Sequence, residues 1–251
     1  MLVVVPPSET KVSGGRDDQV LDVSALSFPL QNPTRLSLLE QVEKLSLDPK
    51  KALAALKLGP KGHSEIERNQ QIRFSGVMPA LERYSGVLYD ALDSATLGPG
   101  AAWAAKHLAI FSALFGLILS TDLIPAYRLS YDSRLSRGTP TTQWADVSDI
   151  LWSEVRGFVV DLRSEGYRRL AVVPETRGVF VNLVQPGPVG QRKALGHANK
   201  SVKGQLVRAM ARDGVQLDSV DDLIAWGAVA SWNFDQESLT DGRIDLVISG
   251  S

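Results

Sequence analysis

Met1-Leu-Val-Val-Val-Pro-Pro-Ser-Glu-Thr-Lys11 begins with apolar residues and closes them with a proline pair. An unbroken apolar run this short predicts a strand buried on both faces, and the prolines end it because they bring no ladder donor. The run lacks a basic n-region and a small-residue cleavage site, so it is not read as a signal peptide. Residues 170–173, 179–184 and 244–248 are mostly apolar and are read as further strands. Helical patterns lie between them without strict strand–helix alternation. The expected class is therefore α+β, a single mixed α/β domain over residues 1–251.

Several helices have explicit punctuation. Asp48-Pro49 supplies an N-cap and first-turn proline, with Leu53 and Leu56 inward, and Gly59-Pro60 stops that helix. Leu36, Leu39 and Val42 fit one face of an earlier helix. Ser64 with Glu67 is read as a capping box. Residues 79–92 and 101–107 are expected to be helical, and the apolar run after 107 fits helix or strand. The strongest 3.6-residue pattern is Leu151, Val155, Phe158, Val159 and Leu162, predicting one helix over 149–162 that Gly166 closes.

The chain has no cysteine, which excludes disulfides, thiolate nucleophiles and Cys-ligated metals. His63, His107 and His197 are too scattered for a metal spacing, so neither metal nor cofactor is expected. No apolar run reaches the ~20 residues a bilayer span needs, so the expectation is a cytoplasmic protein without membrane contact. The motifs G-x-x-x-x-G-K-[ST], G-x-S-x-G and a G-x-G-x-x-G after the first strand are all absent. Oligomeric state is not legible.

Formal net charge is −1, yet the charges are segregated. From Thr176 to Arg212 there are seven Lys or Arg and no acid, whereas from Asp213 to Ser251 there are eight acids and one base. Within the basic stretch, 191–212, a helix capped by Asn199 or Ser201 is expected to end at Gly214. Val202, Leu206, Val207 and Met210 share one side of it, with Arg208 and Arg212 opposite on a solvated face. Lys203 projects within the apolar arc and Lys200 sits at its edge. Both cations occupy the first turn, against the helix dipole. An anion held by the free N–H groups and these lysines accounts for that arrangement, and Arg192, Lys193 and His197 just upstream are candidates to join it. The alternative is lysine stems lying along the core edge toward water. A second helix, starting at the Ser219-Val-Asp-Asp222 cap and stopping at Gly227, makes either a helix–hairpin–helix-like unit or a plain αα-hairpin.

A second polar cluster runs from Thr121 to Arg134. Alternation across 127–135 predicts a strand with Arg128, Asp132 and Arg134 on one face. That face is suited either to bidentate binding of a carboxylate or phosphate or to an ion-pair network at a sheet edge. Asp122 precedes it. In the loop after the first strand, Ser8 is a candidate nucleophile with Glu9 and Lys11 beside it. Lys203, if desolvated, is a candidate base or nucleophile.

These segments together resemble the YaaA family of peroxide-stress proteins. The likeness is carried by 1–11, by Gly86-Val-Leu-Tyr89-Asp-Ala-Leu and by Phe111-Ser-Ala-Leu-Phe-Gly-Leu117. It continues in Thr121-Asp122-Leu-Ile-Pro-Ala-Tyr127-Arg128-Leu and in Asn199-Lys200-Ser-Val-Lys203-Gly-Gln-Leu-Val-Arg208. The resemblance implies a cytosolic protein that limits oxidative damage, with a positively charged cleft and a helix–hairpin–helix-like element linked to DNA binding. It also implies that Lys200, Lys203 and Arg208 line the cleft, with Tyr127, Arg128 and Asp132 as further candidates. Two functions stay open: binding of duplex DNA or another phosphate-bearing ligand, and catalysis on a small anionic metabolite or nucleotide in the same cleft.

Overall fold

The computed structural model describes residues 1–187, 191–196 and 198–248. Strand β1 (Leu2–Val5) is followed by helices α1 (Asn32–Ser46), α2 (Pro49–Ala55) and α3 (His63–Gln70). Next come β2 (Met78–Pro79), α4 (Ala80–Arg83), α5 (Val87–Leu92) and α6 (Gly100–His107). The run after α6 forms a hairpin, β3 (Leu108–Ser112) and β4 (Gly116–Leu119), and β5 (Leu123–Ile124) returns to pair with β2. Helices α7 (Pro140–Ala145) and α8 (Ser148–Ser153) lead into β6 (Val159–Asp161), α9 (Glu165–Arg168), β7 (Gly178–Pro186) and β8 (Arg192–Ala194). The chain continues through α10 (Asn199–Asp213), α11 (Val220–Val229), β9 (Phe234–Thr240) and β10 (Arg243–Val247).

One sheet, ordered β4-β3-β1-β6-β7-β10-β9 with β8 on β7, runs through the structure. Its five middle strands are mutually parallel, and antiparallel strands flank them. This is the expected mixed α/β architecture. Val3 lies between Leu108 and Val160, and Val160 in turn between Val3 and Val179. Burial on both faces explains why β1 and β3 read as unbroken apolar runs. The parallel strands bring Pro6, Ser112 and Asp161, at or just past the ends of β1, β3 and β6, to one edge of the sheet.

The largest correction concerns 149–162. Helix α8 stops at Ser153, and Gly157, at φ +77°, turns the chain into the central strand β6. Leu151, Val155, Val159 and Leu162 are all buried, but from α8, the turn after it, β6 and the segment beyond, so their 3.6 spacing is coincidental. Residues 170–173 form no strand. Gly166 lies inside α9, where a Cβ would strike the Tyr131 ring. Residues 127–135 are irregular rather than a strand. The stretch 79–92 is split at Gly86, whose φ of +110° no helix accommodates. Helix α3 starts from Gly62 without the expected Ser64 cap, and Ala198 precedes α10 without any side-chain cap. The capping box at Ser219 is present, yet α11 runs through Gly227 to Val229.

Helix α10 packs on α5 and α6. At Gly204 the α5 backbone approaches so closely that a Cβ would overlap the Leu88 carbonyl and come within 2.9 Å of Ala91 Cβ. Gly204→Val is expected to destabilise the protein by at least about 1–3 kcal/mol, read as a lower urea midpoint, because backbone on the facing helix cannot yield as a flexible side chain can.

Candidate functional site

The loop after β1, the start of α5, the segment after β6 and the first turn of α10 converge at the C-terminal ends of the parallel strands. That is where open parallel sheets bind ligands, since the loops diverge there and leave a crevice. A cavity of about 270 Å³ is bounded by Pro6, Ser8, Glu9, Gly86, Tyr89 and Lys200. Gly86, at φ +110°, faces Ser8 Oγ across this cavity. Tyr89 donates its hydroxyl to the Pro6 carbonyl at 2.9 Å, tying α5 to the β1 exit.

Lys203 stands on α10 three residues beyond Lys200. Its side chain is 5% exposed and donates to the Arg163 carbonyl at 2.9 Å. Burial lowers its amine to about 8, and Asp161 opposes that shift. The carbonyl it contacts belongs to a residue that is itself anchored. Arg163 forks onto Asp161 through Nε–Oδ1 at 2.8 Å and Nη2–Oδ2 at 2.7 Å, with both side chains inaccessible to solvent. Asp161 and Arg163 escaped the sequence reading because 149–162 was assigned to a helix. The available signal was Asp-Leu-Arg directly after the β-branched pair Val159-Val160.

Lys11 is equally buried, at 5% exposure. Its Nζ stands 4.2 Å from the Tyr127 ring centre and 5.5 Å from that of Tyr84, and donates to the Glu9 carbonyl at 3.2 Å. Burial, followed by the nearby Arg128 charge, lowers the amine to about 7. Beneath it runs a hydroxyl chain. Ser112 Oγ accepts from the Leu114 and Phe115 N–H groups, so its own proton goes to Tyr127 at 2.7 Å. Tyr127 then donates to Tyr84 at 2.8 Å, leaving the Tyr84 proton as the free donor at the end of the chain. Burial raises all three tyrosines of this neighbourhood, Tyr84, Tyr89 and Tyr127, so they stay protonated.

Arg128 closes the outer side. Its backbone is pinned by Asn69, which donates to its carbonyl at 2.9 Å and accepts from its N–H at 2.7 Å. Its Nη2 reaches Glu9 Oε2 at 2.8 Å, while its buried Nε has no acceptor among the described residues. Nothing in the sequence spacing singled out Asn69.

The other expected site residues lie elsewhere. Asp122 accepts from Ser27 Oγ at 2.8 Å and from the Leu119 N–H at 2.9 Å, with its carboxyl raised by burial, and holds the chain around Ser27 to the β4 end. Asp132 is paired with Lys57, and Arg134 is exposed, its backbone N–H donating to the Ala55 carbonyl. Arg208 is not on a solvated face: its Nη1 donates at 2.8 Å to both the Leu92 and Asp93 carbonyls, closing the C-terminus of α5. Arg192 is ion-paired with Asp235 and Asp245 at the β8–β10 edge, and Lys193 is exposed in β8. Asn199 is the first residue of α10 rather than its cap. His197 lies outside the described residues. Among the described residues no three His, Asp or Glu gather as a metal site, and no helix is long and apolar enough to cross a membrane.

Fold and site together define a mixed α/β protein with two buried lysines and an arginine at the C-terminal edge of a parallel sheet. Residues 1–238 match the family model described as peroxide stress protein YaaA. A UPF0246 protein of Corynebacterium glutamicum is 40% identical over 230 residues, covering 90% of this chain and 91% of that protein. One from Streptomyces coelicolor is 35% identical over 229 residues, 89% of this chain and 88% of its own length. A third, from Shewanella piezotolerans, is 28% identical over 180 residues, 66% and 68% of the two chains. The chain belongs to the YaaA (UPF0246) family of peroxide stress proteins.

Proposed function

We propose that this protein serves the peroxide-stress response in the cytoplasm by binding a small phosphate- or carboxylate-bearing ligand in the cleft at the strand ends. The observation that carries this reading is the uncapped start of α10, whose Lys200 lines the 270 Å³ cavity with Ser8 and Glu9. A cation in the first turn is unfavourable unless an anion joins it there, and the Lys200 and Ser201 N–H groups, beyond the Asn199 N–H that meets the Gly196 carbonyl, are positioned to supply further donors. The cavity suits a ligand of metabolite or nucleotide size.

Inorganic phosphate and a nucleoside monophosphate are expected to raise the melting temperature with concentration, as any ligand specific to the folded state does. Lys200→Glu is expected to weaken that binding by at least about tenfold, consistent with a charge-assisted contact of 1.5–3 kcal/mol. No shift with either probe, or equal shifts in the variant, would overturn the small-anion reading. Duplex DNA, implied by the family resemblance, is the second reading, and the exposed Lys193, Lys200 and Arg212 favour it. It requires affinity to fall with salt by a log–log slope of about −0.9 per phosphate contacted. Arg192 and Arg208 are already engaged by protein partners, which limits the cations left for a duplex.

A further inference from the structure

Lys11 is not arranged like a lysine that only attracts anions. Such a residue keeps its ammonium in water or against a carboxylate, whereas Lys11 is buried on two tyrosine rings, makes no ion pair among the described residues and has one protein hydrogen bond. The charged groups facing it are Glu9 from its own loop, Arg128 from the segment after β5, and Glu65 and Arg68 from α3. Arg128 and Arg68 oppose its protonation, Glu65 and Glu9 favour it, and desolvation outweighs them all. The result is an amine about half free at neutral pH, a fraction on the order of a thousandfold above that of a surface lysine.

Arg128 supplies the second half of the arrangement. Its buried Nε–H lacks an acceptor among the described residues, and its Nη2 is engaged by Glu9, a side chain 65% exposed. The Glu9 carboxylate occupies the place on this guanidinium that a ligand carboxylate or phosphate would take, and an exposed pair of this kind yields readily. A planar guanidinium beside a buried neutral amine matches a short molecule with an anionic group at one end and an electrophilic carbon near it.

We infer that Lys11 is an amine nucleophile that condenses with the carbonyl carbon of a small oxo acid or phosphorylated carbonyl compound whose anionic group binds Arg128. This rests on the reading of the cleft as a small-anion site. The Nζ lone pair forms the C–N bond while the carbonyl π pair moves to oxygen. One nitrogen proton passes to that oxygen to give the carbinolamine, and the second follows as the hydroxyl leaves as water and the nitrogen pair forms C=N. One water is released, no oxidant or reductant is consumed, and hydrolysis reverses the step. The tyrosine rings shield the imine once formed.

The test treats the full chain with pyruvate or, separately, dihydroxyacetone phosphate in the presence of sodium borohydride, which reduces C=N to a stable secondary amine. Intact mass and peptide mapping then locate the adduct. One adduct per chain at Lys11 is expected, forming at least roughly tenfold faster than on any surface lysine, with a rate that rises through pH 7 and levels off above it. Lys11→Met abolishes it, and Lys44→Met, at an exposed lysine of α1, leaves it intact. Preferential trapping of one probe identifies the anion as carboxylate or phosphate. Adducts spread over surface lysines and unchanged in Lys11→Met overturn the inference. So does a probe that raises the melting temperature without being trapped, an outcome that keeps the anion site. Neither trapping nor a melting shift rejects both readings.

Discussion

Asp161→Ala is expected to cost about 3–5 kcal/mol of unfolding free energy, the loss typical when one partner of a buried ion pair is removed. The Arg163 guanidinium lies wholly inside the protein. Besides its fork onto Asp161 it donates to the Tyr167 and Ala171 carbonyls at 3.3 and 2.7 Å, and stacks 4.7 Å from the Phe111 ring centre. Those neutral acceptors satisfy N–H groups without balancing the charge. Without Asp161 the cation must draw in water or distort β6, and β6 is the strand through which β1 pairs with β7. Arg163→Lys is expected to lose most of the same stability, since an ammonium cannot make two parallel bonds to a carboxylate. The double variant Asp161→Leu, Arg163→Met removes both charges together and is expected to recover much of the loss. Urea denaturation of the three variants reads this directly. A cost below about 1 kcal/mol for Asp161→Ala would mean that the pair is solvated in solution. Because the Arg163 carbonyl receives the Lys203 ammonium, the same substitution also loosens the anchor of that lysine.

Legibility of the sequence follows from how each residue is buried. Strand β1 was readable because both its faces meet the core, so every position is apolar, whereas β7 and β10 were readable from buried apolar positions set between Asn182, Arg243 and Asp245. Strand β6 was hidden because three residues are too few to establish a period, and flanking apolar residues from α8 completed a false helical one. The same error concealed Asp161 and Arg163. Lys203 was legible for the opposite reason: a charge inside an otherwise apolar helical arc has few explanations, and α10 is long enough to make the arc clear. Arg128 to Arg134 alternated like a strand, but its backbone is engaged by Asn69 and Ala55, partners no local pattern contains. Arg208 was assigned to solvent because its face of α10 looked polar, yet that face meets the exposed carbonyls at the end of α5. Charges that satisfy backbone on another element cannot be distinguished from solvated ones by spacing alone.

Lys11→Met is expected to raise stability at neutral pH by an amount on the order of a few kcal/mol, which a residue kept for packing would not do. The unfolded chain takes up a proton on this amine near 10.5, whereas the folded protein does so only near 7. Between those values the unfolded state holds more protons, so unfolding free energy rises with pH, by at most about 1.4 kcal/mol per unit. The gain is complete above the unfolded value and is lost as pH falls to the folded one. Lys203 adds the same sign of dependence over the narrower window from about 8 to 10.5. Above pH 10 the buried tyrosines act oppositely, because the unfolded chain ionises them while Tyr84, Tyr89, Tyr127 and Tyr167 stay protonated in the fold. The wild-type protein should therefore become more stable from pH 7 toward 10 and then less stable. Methionine retains the unbranched stem and sets a sulfur against the Tyr127 ring, so the packing survives while the titration disappears. Chemical denaturation at several pH values should show a shallower rise for Lys11→Met, with the two curves converging near pH 10. A variant less stable than wild type at pH 7, with an unchanged slope, would show that the amine keeps its charge in the fold. An amine held neutral at a cost to stability belongs at a site that uses it, and that cost is what the reactive role assigned to Lys11 requires.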